Sequence, residues 1–173
     1  MSVFYITGFQ RSGTTLLAYL LDRHPDVLCA DEPEFAKRII YGQKEKLSDL
    51  NNDSIRKNLD FYGADKDKYL ELVREFRSGT LSESDFLLKA YQLLNVKHAA
   101  VTGVKEVVDL ASIKFDFLNR LVGIHPSDTK YIFIERNLNG IVSSFEKLGF
   151  FLLGRCKYLF LLYIESYFYH KVC

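Results

Sequence analysis

No run of eighteen or more apolar residues occurs in this chain, so no segment is long enough to cross a bilayer as a helix. The longest late candidate, Leu159 to Ile164, is flanked by Arg155, Lys157 and Glu165. A charged leader followed by an apolar stretch is also missing at the start, where the chain opens directly on Val3 to Thr7. A cytoplasmic protein without a membrane span is the expectation. Cysteine is scarce: Cys29, Cys156 and Cys173 are an odd number, widely spaced, with no CxxC pair. That excludes a disulfide framework and a cysteine zinc site. Cys29 reads as a small core residue in a reduced compartment. The histidines His24, His98, His125 and His170 have no partners at metal spacing, so no metal is expected. Charge of one sign is missing as well. A net charge of +1 over 173 residues gives no global field for nucleic acid, so any anion site must be local.

Apolar residues make up 48% and charged residues 26%, enough for a buried core and too ordered a composition for disorder. The length suits one domain spanning residues 1–173. Val3 to Thr7 is apolar and β-branched, and reads as a strand buried on both faces. From Gly13 to Arg23 the period becomes helical, with Leu16, Leu17, Leu20 and Leu21 on one expected face. Pro25 stops that helix near His24. Val27 to Ala30 is a second strand, leaving through Asp31, Glu32, Pro33 and Glu34. Residues 36–96 read as a helical insertion over the edge of the sheet, with Ser82 as one helix start. Strand and helix then alternate: Ala99 to Val104, a helix from Leu110 to Val122, Tyr131 to Ile134, and a helix from Ile141 to Leu148. Such alternation implies right-handed crossovers and a parallel sheet. The expected fold is α/β, a P-loop-like three-layer α/β/α arrangement with a central parallel sheet. Residues 150–173 form an atypical tail dense in Phe, Leu and Tyr, and self-association through it is the expectation.

The loop between the first strand and helix reads Gly8-Phe9-Gln10-Arg11-Ser12-Gly13-Thr14-Thr15. A glycine-rich turn at a helix N-terminus turns backbone N–H groups toward an anion. The glycine spacing is that of a P-loop, but Thr14 stands where a triphosphate enzyme needs lysine. The cation has moved to Arg11, whose planar guanidinium suits an oxyanion. A donor with fewer phosphates fits better than a triphosphate. The plainer alternative is a glycine turn that binds nothing. Arg136 leaves the strand Tyr131 to Ile134 at the same sheet edge, where open α/β sheets bind ligands. Ser143 and Ser144 follow on the next helix.

Gln10 to Leu17, followed by His24-Pro25-Asp26-Val27, resembles the 5′-phosphosulfate loop of the sulfotransferases that use 3′-phosphoadenosine 5′-phosphosulfate. Within that family the tyrosylprotein and bacterial branches are most similar. Ile134-Glu135-Arg136-Asn137, with Ser144 eight residues after the arginine, is similar to the family's 3′-phosphate motif, although Leu138 replaces its usual proline. The resemblance covers roughly residues 3–35 and 100–150. Members are usually much longer, so a chain short at its C-terminus is the expectation.

The resemblance implies that Ser12, Gly13, Thr14 and Thr15 hold the phosphosulfate, with Arg11 beside them, and that Arg136 and Ser144 hold the 3′-phosphate. The product would be 3′,5′-adenosine bisphosphate, and no metal would be needed. Sulfuryl transfer needs charge stabilised on the leaving phosphate oxygen. Arg11 and Lys105 are the candidate cations; a surface lysine after a strand is the plainer reading of Lys105. The acceptor hydroxyl or amine must lose a proton. Glu32 is the candidate base, at an offset from the loop arginine that the resemblance favours, and Glu34 is second choice. A solvated acidic turn is the plainer reading of both. Relatives with a histidine base place it shortly after such a lysine, whereas here Glu106 and Val107 follow. The acceptor class is open. A magnesium-dependent kinase and a non-catalytic nucleotide-binding module are the rival readings.

Overall fold

A computed structural model of the chain describes residues 2–8, 11–51, 53–106, 116–124, 129–134, 136, 137, 140 and 143. Contacts divide the chain into two compact units, residues 1–134 and 135–173. The tail 150–173 and the expected helix from 141 to 148, apart from helical Ser143, lie outside the described residues.

The first unit begins with β1 (Ser2–Gly8), α1 (Thr14–Asp22) and β2 (Val27–Asp31). Next come α2 (Phe35–Ile40), a 3₁₀ turn (Lys44–Ser48), α3 (Asp53–Tyr62), α4 (Lys66–Arg77) and α5 (Glu83–Leu94). It closes with β3 (Val101–Lys105), α6 (Asp116–Ile124) and β4 (Lys130–Ile134). The four strands are parallel, in the order β2-β3-β1-β4. Parallel pairing brings every carboxyl end to one edge: Ile6 and Asp31 are level with Lys105, and Gly8 is level with Ile134. The chain leaves β1 toward β2 and leaves β3 in the opposite direction, toward β4. Right-handed crossovers running in opposite directions put their helices on opposite faces. The crevice between the two departures is where such sheets receive ligands.

Side-chain alternation divides the core accordingly. Phe4 and Ile6 of β1 face Ala18 of α1 and Cys29 of β2. Val3 and Tyr5 face the other way, against Phe35, Ile39, Phe86 and Leu121. The helical insertion therefore packs with α6 over one face of the sheet, and α3 also reaches the edge strand β2.

The buried face of α1 also differs from the leucine-rich expectation. Thr14 and Ala18 are buried, while Leu16 and Leu20 are 64% and 58% exposed. Leu17 and Leu21 are half-buried beside Ala18. The small Ala18 side chain lets α1 lie close to β1 and β2, and that rotates Leu16 and Leu20 outward.

Local signals are obeyed where they are strongest. Ser82 Oγ accepts the Asp85 N–H at 3.1 Å, and Asp65 Oδ1 accepts N–H groups at 3.0 and 3.1 Å to open α4. Phe35 is fully buried and meets the rings of Tyr69, Tyr91 and Phe86 at 5.4, 5.8 and 6.5 Å. Phe35→Ala is expected to remove about 3–5 kcal/mol of stability. Urea unfolding checks this as a lowered midpoint at unchanged slope. A loss below about 1 kcal/mol would show that Phe35 is not central to this layer.

Candidate functional site

The loop after β1 begins at Gly8, where a Cβ would sit 2.5 Å from the Ile134 carbonyl oxygen of the neighbouring strand. Only glycine fits there without displacing β4. Phe9 and Gln10 lie outside the described residues. Arg11 is exposed and left-handed at φ 68°. Gly13, at φ 105°, is the residue before α1, and neither a side-chain cap nor an acidic residue serves the first turn. This contrasts with α4 and α5, whose first turns are capped by their own side chains. A nine-residue helix thus starts at this loop with its positive end uncompensated. Ser12 is 92% buried by its 8% exposure, and its Oγ has no hydrogen-bond partner. A buried hydroxyl without a partner costs free energy unless something else satisfies it. Thr14 is buried and Thr15 is exposed. The donor set fits a compact oxyanion: hydroxyls and N–H groups, with no lysine at position 14.

At the same sheet edge Lys105 is buried, its side chain 5% exposed. Its Nζ donates to Asp31 Oδ1 at 2.8 Å and to Glu32 Oε1 at 2.9 Å. The surface-lysine reading of Lys105 is therefore replaced by a buried ion-paired one. The Glu32 N–H donates to the Lys105 carbonyl at 3.0 Å, which extends the β2–β3 ladder by one rung. Glu32 and Glu34 both adopt positive φ, 48° and 62°. Glu34 Oε2 accepts from Arg38 at 2.6 Å, while Arg38 also donates to Gln43 at 2.6 Å. The structure thus brings Glu32 to Lys105 and commits Glu34 elsewhere.

Glu106, the next residue, turns to the opposite face. It is fully buried, and neither carboxylate oxygen has a hydrogen-bond partner. Lys37 Nζ of α2 lies 3.7 Å away. Burial pushes the Glu106 carboxyl up to about 7; Lys37 and Lys105 oppose the shift, and Glu32 and Glu34 add to it. Burial works against the Lys37 ammonium, but Glu106, Glu32 and Glu34 outweigh it and raise its pKa. Nearby, Tyr5 donates to the Tyr91 hydroxyl at 3.0 Å. Both phenols are pushed well up by burial, with the Glu106 charge contributing. Lys37 and Glu106 were not singled out from sequence. The usable signal was a charged pair ending a strand: alternation must send one of the two to each face.

An open cleft of about 600 Å³ borders this edge, between α1, the end of β2 and α3. That volume lies in the range of ligand pockets, roughly 300–1,000 Å³. Thr15, Tyr19, Glu32, Lys57 and Phe61 are among the residues that line it. Asn58 donates to the Asp31 carbonyl at 3.1 Å, and Tyr62 donates to the Cys29 carbonyl at 2.9 Å. These two bonds pin α3 to β2. Burial pushes the Cys29 thiol up to about 12, so it is an inert core group, as expected.

In the second unit, Arg136 and Asn137 are exposed, and the Gly140 N–H donates to the Asn137 carbonyl at 2.9 Å. Ser144, expected to act with Arg136, lies outside the described residues. Among the described residues no group of three or more His, Cys, Asp or Glu could hold a metal ion. No helix among them is long and apolar enough to cross a membrane.

The profile of the Sulfotransferase family matches residues 4–159. A 56-residue stretch is 39% identical to protein-tyrosine sulfotransferase 1 of Homo sapiens, covering 32% of this chain and 15% of that protein. The Mus musculus protein of the same name gives the same figures. Over 40 residues the Danio rerio protein is 48% identical, covering 23% of this chain and 11% of its own length. The matched stretches therefore span well under two thirds of these relatives.

The Glu106 shift makes a stability prediction. An ordinary glutamate releases its proton near 4.5, and folded Glu106 does so near 7. Between those values the folded chain keeps a proton that the unfolded chain has lost. Stability from this group is therefore full below about 4.5, falls as pH rises, and levels off above about 7. The expected amplitude is on the order of 3 kcal/mol. Urea midpoints across this window should show a downward slope that Glu106→Gln removes; an unchanged slope in the variant would assign it to other groups.

Proposed function

The chain belongs to the sulfotransferase family, and from that premise we propose that it moves a sulfuryl group from 3′-phosphoadenosine 5′-phosphosulfate to an acceptor hydroxyl or amine. One observation carries the donor reading: the uncapped start of α1, where buried Ser12 Oγ lacks a partner and Thr14 replaces the triphosphate lysine. Ser12, Gly13, Thr14 and Thr15 bind the phosphosulfate. Arg136 and Ser144 bind the 3′-phosphate. No metal takes part.

Lys105 and Glu32 then divide the chemistry. Glu32 takes the proton of the acceptor hydroxyl. Its negative charge is thereby lost, and its 2.9 Å ion pair with Lys105 weakens at that moment. The Lys105 ammonium becomes available to the charge developing on the leaving phosphate oxygen, with Arg11 beside it. Proton removal and leaving-group stabilisation are thus coupled through one salt bridge. The cleft that contains Glu32 and Thr15 receives the acceptor. The relatives' name specifies protein tyrosine, and a tyrosine hydroxyl is the first acceptor to test.

Calorimetry with 3′,5′-adenosine bisphosphate in the absence of metal should give saturable binding. Arg136→Ala should weaken it by about 10- to 100-fold, the worth of a charged hydrogen bond to phosphate. Lys105→Met should leave that binding within a few-fold but lower turnover by roughly 100- to 1,000-fold. Preference for ATP with magnesium would overturn the reading in favour of a kinase. Binding of neither ligand by a folded chain would favour a non-catalytic role.

A further inference from the structure

Two lysines flank the turn Glu32-Pro33-Glu34, and they are held differently. Lys105 donates to Asp31 and Glu32 at hydrogen-bond distance. Lys37 meets Glu106 at 3.7 Å, an ion-pair distance longer than a hydrogen bond. Its ammonium also feels Glu32 and Glu34. Glu34 is occupied by Arg38. Behind Lys37, Glu106 is fully buried with both carboxylate oxygens lacking a hydrogen-bond partner. The charged and titratable groups around Glu106 are Lys37 of α2, Glu32 and Glu34 of the turn, Lys105 of β3, Tyr5 of β1 and Tyr91 of α5.

We propose that Glu106 is a positioning residue that acts through Lys37: as a carboxylate it holds the Lys37 ammonium behind the turn, and as a neutral acid it releases that ammonium to Glu32 and Glu34. The step is a single protonation from solvent and breaks no other bond. A carboxyl without hydrogen bonds has only nearby ammonium charges to oppose its desolvation, Lys37 first and Lys105 after it, so gaining a proton removes the reason for Lys37 to stay. A released Lys37 puts a second ammonium against the Glu32 carboxylate and competes there with the acceptor's proton. The gate works around neutral pH because burial has moved the Glu106 carboxyl into that range. The consequence for Glu32 rests on the proposed function, whereas the coupling of Lys37 to Glu106 does not.

The coupling is read without donor or acceptor, by following the Lys37 Cε and Nζ resonances in the full chain as pH is raised from about 5.5 to 8.5. The native protein should show an inflection near neutrality that Glu106→Gln abolishes. In Lys37→Met the Glu106 carboxyl carbon should titrate higher, since a charge that lowers it is gone. No inflection in the native chain, an inflection that survives Glu106→Gln, or an unmoved Glu106 midpoint in Lys37→Met would each overturn the proposal. Where adenosine bisphosphate binds, a turnover assay with a tyrosine peptide adds the functional arm. Glu106→Gln should lose roughly fivefold in kcat at about pH 8, with donor KM within about twofold and a flat profile down to about pH 6. Adding Lys37→Met should cancel the difference. Absent bisphosphate binding would overturn the sulfotransfer reading alone, and the resonance titration would still decide the coupling.

Discussion

Lys105 and Glu106 are adjacent opposite charges at the end of β3, and both are buried. Strand alternation keeps them from forming a direct ion pair, because it sends consecutive side chains to opposite faces. Each therefore needs a partner from a different part of the chain, since an uncompensated buried charge costs several kcal/mol. On the α1 face the partners are Asp31 and Glu32, delivered by β2 in register with Lys105. On the insertion face the partner is Lys37, delivered by α2. The candidate chemistry on one face and the candidate gate on the other thus descend from one constraint on two residues.

The helical insertion meets the second half of that constraint. Glu106 can be buried only if a layer covers its face, and Lys37 can reach it only if α2 is held down on the sheet. The aromatic packing of Phe35 with Tyr69, Tyr91 and Phe86 does this two residues before Lys37. α3 serves the other side of the edge. Asn58 and Tyr62 give their donors to backbone carbonyls of β2, so the wall of the cleft is fixed relative to Glu32. The core and the site are therefore not separable here, because the same helices that fill one orient the other.

The parts of this arrangement that were legible in the sequence are those encoded locally. Continuous apolar runs marked the strands, Ser82 marked a helix start, and the glycine loop before Thr14 marked the turn from β1 into α1. The loop's position and Lys105 at the strand end followed from the parallel topology. What was illegible depends on tertiary pairing. The leucines of α1 carry a helical period, yet the small Ala18 set the contact face and left Leu16 and Leu20 outside. The insertion's apolar faces showed that its helices pack, but not that they pack over a sheet face. Lys37 and Glu106 are unremarkable residues until the fold makes them neighbours. The sequence pattern around Glu106 served only to exclude a histidine base.

Backbone conformation adds an independent line of argument about which of these side chains matter. Among the described residues four non-glycines have positive φ: Arg11, Glu32, Glu34 and His98. Glycine is the default residue in that region, and a side chain there costs on the order of 1 kcal/mol or more. His98 shows that such a residue can simply close a turn, since its N–H donates to the Asn95 carbonyl at 3.1 Å. The other three lie at the loop after β1 and the turn after β2, and each carries a charge. For Glu34 the Arg38 ion pair, an i,i+4 contact within α2's first turns, offsets part of the strain. For Glu32 the offset is Lys105, which without Glu32 would keep only the exposed Asp31. Glycine at position 32 would relax the backbone yet leave a buried ammonium half compensated. The strain at Glu32 is therefore tied to the same buried lysine from which the site is built, and relieving one without disturbing the other is not open to a single substitution.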